Sequence, residues 1–512
     1  MTLRATSLEW AIDFLQLHSD GDLFPKILEV EAISADKSAF VSQLTGVDLS
    51  TFQPGSCRRF IVPKDDISYR QATQLDPQDS IILSALVYEY GSLIESRRLT
   101  NDKIFSYRFQ PTLEDGLYGS KTAWNQFWTR AGLLAKRSGH VLYCDIADFY
   151  NQVYHHTVEN QLFAAGLPNQ AVKWLISLLE STTAGVSRGV PVGPHPIHLI
   201  AEATLIPVDN SLQAAGLNFI RYADDILIFC ESLQEGKSAL ATVATVLDKQ
   251  QRLMLQRHKT KFYDPSEFQK LCLQMIEDRP INSDEKTLLA LIKKYTGGDP
   301  YKTISYAQIT PDDWASISDA SICNVINDYI QQESIDYIRL RWFYRRLAQI
   351  GHPGAIEISL DNLDALGPCF ANICFYLASI QSITPDIWKS IGGRLLEFIR
   401  KPEIQSSEYF RLLILSLFTR NEYINHFAQL HGAFQQSDAI VRREIILAAK
   451  VNKAFDWARE LKESFPTMDP WQQRAYLFTI AGLPRDEKKY FIARQSFIRP
   501  FDKALAKWVK GS

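Results

Sequence analysis

The chain has no surplus of either charge: 55 Lys and Arg stand against 58 Asp and Glu, a formal net charge of −3. Nucleic-acid binders usually carry a basic excess, so composition argues against a long duplex gripped by many phosphate contacts. A short or single-stranded nucleic acid held by a few local Arg and Lys residues remains compatible. Cysteine is sparse as well. The seven residues are scattered, with no CxxC pair and no Cys/His cluster of zinc spacing, which excludes a zinc module and suits a reducing compartment. No run of about eighteen apolar residues occurs, so no membrane span is expected. The opening MTLRATSLEWAIDFLQLHSDGD lacks the basic-then-apolar order of a signal peptide, and a cytoplasmic protein is the expectation. There is no G-x-x-x-x-G-K-[ST] phosphate loop, no G-x-S-x-G elbow and no H-E-x-x-H pair. His155 and His156 are adjacent, so they cannot share a helix face, and no third ligand accompanies them.

What is present reads as ordinary globular protein. Hydrophobic residues make up 46% and charged residues 22%, and 512 residues are too many for one compact core, so two or three domains are expected. The first hundred residues read as mostly helical, ending in QDSIILSALVYEYGSLIESRRL. A strand is expected in HVLYCDIADFY (140–150), then a helix in QAVKWLISLLESTT, a Gly/Pro turn at RGVPVGPHP and a helix in IHLIAEATLIPVDNSLQAAG. NFIRYADDILIFCES (218–232) has two apolar runs flanking Ala-Asp-Asp, a hairpin pattern. A helix over EGKSALATVATVLDKQQRLML leads into RHKTKFY. Strand, helix and hairpin thus alternate between about 140 and 265, an α+β domain. From roughly residue 300 onward amphipathic helical stretches recur at about forty-residue intervals without a repeated signature, and KKYTGGDPYKT (293–303) is the linker candidate.

The chemistry resides in carboxylates. In-line displacement at phosphorus is served by two Mg²⁺ ions about 3.5–4 Å apart, and hard cations take oxygen ligands. A hairpin with acids at its tip and a neighbouring strand ending in an acid would gather such ligands. RYADDILIF offers Asp224 and Asp225 at the expected tip, and VLYCDIADFY offers Asp145 at a strand end. An isolated Asp-Asp is far more often a surface turn; its company and order set this one apart.

YADD resembles the third catalytic motif of reverse transcriptases, and DIADFY resembles the first, with Asp145 at the metal-binding position. GVPVG (189–193) is similar to their G-x-P-x-G motif, and LMLQRHKTKF (253–262) to their later Leu-x-Leu...Lys-Thr motif. VPKDDISYR followed by QLDPQDSIILSAL resembles the fingers segment that meets the triphosphate. The resemblance implies that Asp145, Asp224 and Asp225 hold two Mg²⁺ ions, with Mn²⁺ a possible substitute. It implies that Tyr150 packs under the sugar of a dNTP, that Lys64 and Arg70 neutralise triphosphate charge, and that Lys259 protonates the pyrophosphate. The bland readings are a strand-end aromatic for Tyr150 and solvated surface charges for the three cations.

Val192 stands where template-copying relatives usually carry Gln, and GPHPIHLIAE (193–202) is similar to the GP...LLAE form of bacterial abortive-infection reverse transcriptases. Ile197 and His198 replace the Ser and Arg more frequent there. That likeness implies reverse-transcriptase-like fingers and palm over 1–275 and an all-α, HEAT-like helical-repeat domain over 276–512. It also implies template-independent, protein-primed synthesis of covalently attached single-stranded DNA in bacterial antiphage defence. Phage proteins would be partners and a homo-oligomer the assembly. None of the 21 tyrosines stands out as the priming residue. Two alternatives are an RNA-templated reverse transcriptase and a scaffold with a vestigial palm, the latter opposed by three retained, mutually repelling acids. In YIRLRWFYRR (337–346) Arg339, Arg341, Arg345 and Arg346 interleave with Trp342, Phe343 and Tyr344. That mixture suits single-stranded nucleic acid, but an amphipathic helix burying its aromatics is the favoured reading.

Overall fold

A computed structural model describes residues 3–21, 23–119, 121–299 and 302–512. It divides into two compact units. One comprises 1–22, 36–59 and 73–279, the other 23–35, 60–72 and 280–512.

The first unit is built on a small antiparallel sheet. Strands β1 (Arg58–Pro63) and β2 (Tyr69–Gln74) pair in a ribbon most of which, 60–72, groups with the second unit, whereas β3 (Phe109–Thr112) pairs with β4 (Gly116–Tyr118) inside the first. The central sheet runs β6-β7-β5-β8, with β5 at His140–Asp145, β6 at Phe219–Tyr222, β7 at Asp225–Cys230 and β8 at Lys261–Tyr263. The apolar runs around Ala-Asp-Asp form the expected hairpin because their β-branched and aromatic residues alternate between two buried faces. One face carries Val141, Ile220, Leu227 and Phe229 into a core with Phe127 and Trp128 of the helix Ala123–Ala135 and Phe268 of the helix Pro265–Ile276. The helix Leu233–Gln251 packs on β5 and β7 from the opposite face, where an added Cβ at Gly236 would lie 2.8 Å from the Phe262 ring.

The first hundred residues are helical at Ala5–His18, Glu29–Ala35, Lys37–Leu44 and Pro77–Glu95, but 58–74 is a strand ribbon that the helical reading missed. Its alternation is disguised because Ile61, an outward position of β1, is apolar yet 60% exposed. The helix expected over 235–255 stops at Gln251, where Arg252 turns left-handed (φ 55°).

In the second unit the chain beyond residue 280 is helical among the described residues. Successive helices Phe370–Ser379, Glu408–Phe418, Ala439–Val451, Pro470–Ile480 and Pro500–Gly511 each pack on the next. Buried Arg443 donates to both oxygens of Glu29 at 2.7 and 2.6 Å, tying segment 23–35 to this stack. The turn after β1 rests on the helix Tyr337–Ile350: Tyr337 Oη donates to Asp66 Oδ1 at 2.5 Å, and Arg341 donates to the Lys64 carbonyl. On that helix Phe343 and Tyr344 are buried, as the amphipathic reading expects, whereas Trp342 is 44% exposed with the Arg345 guanidinium 5.5 Å from its ring centre. The linker candidate begins inside the helix Ser283–Thr296, which Gly297 ends in the left-handed region; its Pro300 and Tyr301 lie outside the described residues.

Candidate active site

β5 and β7 pair in full register, from His140 opposite Cys230 to Asp145 opposite Asp225. Directly opposed residues of an antiparallel pair share a face, so Asp145 and Asp225 project to the same side. Asp224 occupies the hairpin turn with Ala223, while Asp225 is the first residue of β7. The tip expected for both acids therefore holds only Asp224.

Each carboxylate has a protein partner or a charged neighbour. Lys259 Nζ donates to Asp145 Oδ2 at 2.7 Å, and the Gln256 N–H donates to the Asp145 carbonyl at 2.7 Å, so the turn bearing Lys259 is sewn to the end of β5. Tyr143, two residues before Asp145 on the same face, donates its hydroxyl to Asp225 Oδ1 at 2.8 Å. Burial and the Asp224 charge push the Asp225 carboxyl up to about 7. Burial and Asp145 raise Asp224. Burial works against charge on Lys259, but its bond to Asp145 and the surrounding acids hold its pKa above the ordinary lysine value. The site is thus an acidic cluster short of positive charge, with one ammonium already against it.

Donor chemistry fits a hard divalent cation, since all three groups are carboxylates and two resist ionising without added positive charge. Among the described residues no three His, Cys, Asp or Glu groups are already drawn close enough to hold an ion.

The turn itself is fixed from beneath. Ala223 adopts φ 51°, a left-handed conformation that costs a non-glycine residue about 1–2 kcal/mol but suits a two-residue hairpin loop. Its N–H donates to Ser106 Oγ at 2.9 Å and its carbonyl accepts from Arg221 Nη1 at 2.8 Å. Arg221, 0% exposed, also donates to Asp209 at 2.7 and 2.6 Å and to Glu202 at 3.2 and 2.9 Å. Glu202 accepts further bonds from Arg98 and Ser106 at 2.8 and 2.7 Å. Sequence reasoning missed this network; the Arg preceding Tyr-Ala-Asp-Asp and the Glu closing GPHPIHLIAE were its only visible signals.

Residues 62–275 match the family model for reverse transcriptase (RNA-dependent DNA polymerase). They are a reverse transcriptase domain. The reverse transcriptase domain makes the chain a DNA nucleotidyltransferase, with nucleotides as substrates and nucleic acid as product. No curated protein matches the chain. Among solved structures it is similar to apo telomerase from Candida tropicalis, at 9% identity and a TM-score of 0.34, over 71% of this chain and 70% of that one.

Tyr150 stands on the short helix Phe149–Gln152, where its carbonyl accepts from Val190 of the G-x-P-x-G motif at 2.8 Å and its hydroxyl meets His198. Lys64 is exposed and Arg70 half-buried on the β1–β2 ribbon, in the stretch 60–72 that groups with the second unit. His155 is buried, its Nε2 2.8 Å from the Gly189 carbonyl, a structural rather than metal-binding setting. Among the described residues no helix is long and apolar enough to cross a membrane.

Proposed function

We propose that the chain polymerises deoxynucleotides at Asp145, Asp224 and Asp225 without copying a template, starting from a hydroxyl of the protein, as an antiphage defence enzyme of bacterial cytoplasm. The observation carrying the catalytic part is the register that sets Asp145 opposite Asp225, with Asp224 in the adjoining turn and Lys259 on Asp145. Two Mg²⁺ ions bound there would activate the attacking oxygen and stabilise the leaving one. The chain's own residues do the rest. The β5–β7 pairing presents the carboxylates, Lys259 supplies a proton to departing pyrophosphate, Tyr150 lies under the sugar, and Lys64 and Arg70 neutralise the triphosphate.

Template independence is supported by the net charge of −3, which leaves no general basic surplus for a template duplex. The stacking of successive helices beyond residue 370 supports a HEAT-like repeat reading, a form suited to binding phage proteins or a second copy of the chain. The family model's own description, an RNA-dependent polymerase, favours a second reading in which an RNA template is copied.

Purified protein incubated with labelled dNTPs and Mg²⁺, without template or primer, distinguishes the two on a denaturing gel. Label that migrates with the protein and is freed as DNA by protease is the expected result. Incorporation only when RNA template and primer are supplied would replace it with the second reading, and no incorporation in either would refute both.

A further inference from the structure

We infer that His198 sets the enzyme's choice between deoxyribo- and ribonucleotides by fixing the position of Tyr150. The inference rests on the reading of Tyr150 as the sugar contact. The Tyr150 hydroxyl lies 2.5 Å from His198 Nδ1, and the two rings meet edge to face, with centroids 5.7 Å apart at 86°. His198 sits in the first turn of the helix Ile197–Ala214, so its backbone is anchored. Its ring is stacked on Tyr107, centroids 4.1 Å apart and planes within 5°.

Tyr107 is held in turn. It packs edge to face on Tyr118 at 5.3 Å and tilted against Tyr222 at 6.3 Å. The Tyr118 hydroxyl donates to the His195 carbonyl at 2.7 Å and accepts from the Leu199 N–H at 3.2 Å. A continuous run of ring contacts therefore joins Tyr150, through His198 and Tyr107, to Tyr222, three residues from Asp225 on the paired strand. Sugar discrimination by an aromatic ring is steric, and a shift of a few tenths of an ångström decides whether a 2′-hydroxyl fits. A tyrosine with a free hydroxyl can swing about its two side-chain torsions; one bonded to a stacked histidine cannot. His198 is thus a positioning residue acting through Tyr150, and it stands at a place where the resembling family more often shows Arg.

The test is the ratio of kcat/KM for a dNTP to that for the matching NTP, measured on the full chain under whichever template condition supports incorporation. His198→Ala and Tyr150→Phe each remove the same bond. Each is expected to lower the ratio about tenfold, the worth of one net hydrogen bond, and the double variant to lower it no further than either alone. Tyr150→Ala, which removes the ring, is expected to abolish discrimination. Thermal unfolding verifies that each variant is folded, and His198→Gln, which keeps a polar partner without the stack, serves if His198→Ala is not. A ratio that collapses in Tyr150→Ala but is unchanged in His198→Ala and Tyr150→Phe would overturn the inference while leaving Tyr150 as the sugar contact. A ratio unchanged in Tyr150→Ala would remove the sugar-contact reading and the inference with it.

Discussion

Replacing Arg221 by Leu strikes directly at the network beneath the Ala223–Asp224 turn. The guanidinium is fully buried and meets two carboxylates and the Ala223 carbonyl. With leucine there, Asp209 loses the partner holding both of its oxygens, Glu202 keeps only Arg98 and Ser106, and the Ala223 carbonyl loses its donor. Breaking a buried ion pair from one side costs about 3–5 kcal/mol, because the remaining charge has no compensation. Burial already raises the Asp209 carboxyl even with Arg221 present, so in the variant it takes up a proton more readily and the cost is smaller in acid than at pH 8. The assay is amide hydrogen exchange of peptides covering β5 and β7, which reports opening of this sheet independently of the other unit. Exchange at pH 8 is expected to accelerate by about two to four decades, at 1.36 kcal/mol per decade. Acceleration below about fivefold, corresponding to less than about 1 kcal/mol, would show that the network does not hold the sheet and would refute the reasoning.

Other outcomes follow from single residues. Asp20 Oδ1 is buried without a hydrogen-bond partner among the described residues, and burial raises this carboxyl to about 6 against the bond from Ser80. The folded chain therefore keeps a proton that the unfolded chain has already released, and stability, full below the ordinary carboxylate pKa, falls as pH rises through about 6. Asp20→Asn is expected to gain about 3 kcal/mol relative to wild type at pH 8 and almost nothing at pH 4, measured by urea unfolding. Lys259→Gln removes the ammonium from Asp145 and is expected to slow single-turnover incorporation about a hundredfold; an unchanged rate would reduce Lys259 to a surface charge. Gly139→Ala would place a Cβ 2.1 Å from the Glu231 carbonyl oxygen. Backbone must move to admit it, at about 1–3 kcal/mol, read as a lower unfolding midpoint.

The central hairpin was legible because its apolar strands flank a polar turn, and Asp145 because it ends a strand of the same kind. The helices beyond residue 300 were legible from their period. The network beneath Ala223 was not, because its members come from 98, 106, 202, 209 and 221 and only the tertiary fold gathers them. Tyr143 escaped for a related reason: its contact with Asp225 depends on the β5–β7 register, which no local pattern discloses. The β1–β2 ribbon was hidden by its exposed isoleucine, and the grouping of 23–35 and 60–72 with the helical unit rests on long-range bonds such as Arg443 to Glu29.

Nucleotidyl transfer at the three carboxylates requires that each of them bind metal. Incorporation of labelled dNTP by wild type, Asp145→Asn and Asp224→Asn, at equal concentration and matched circular dichroism, tests it most directly. A loss of about a thousandfold or more is expected in either variant, as removal of a metal-binding carboxylate entails. Incorporation within tenfold of wild type in a folded Asp224→Asn chain would contradict it.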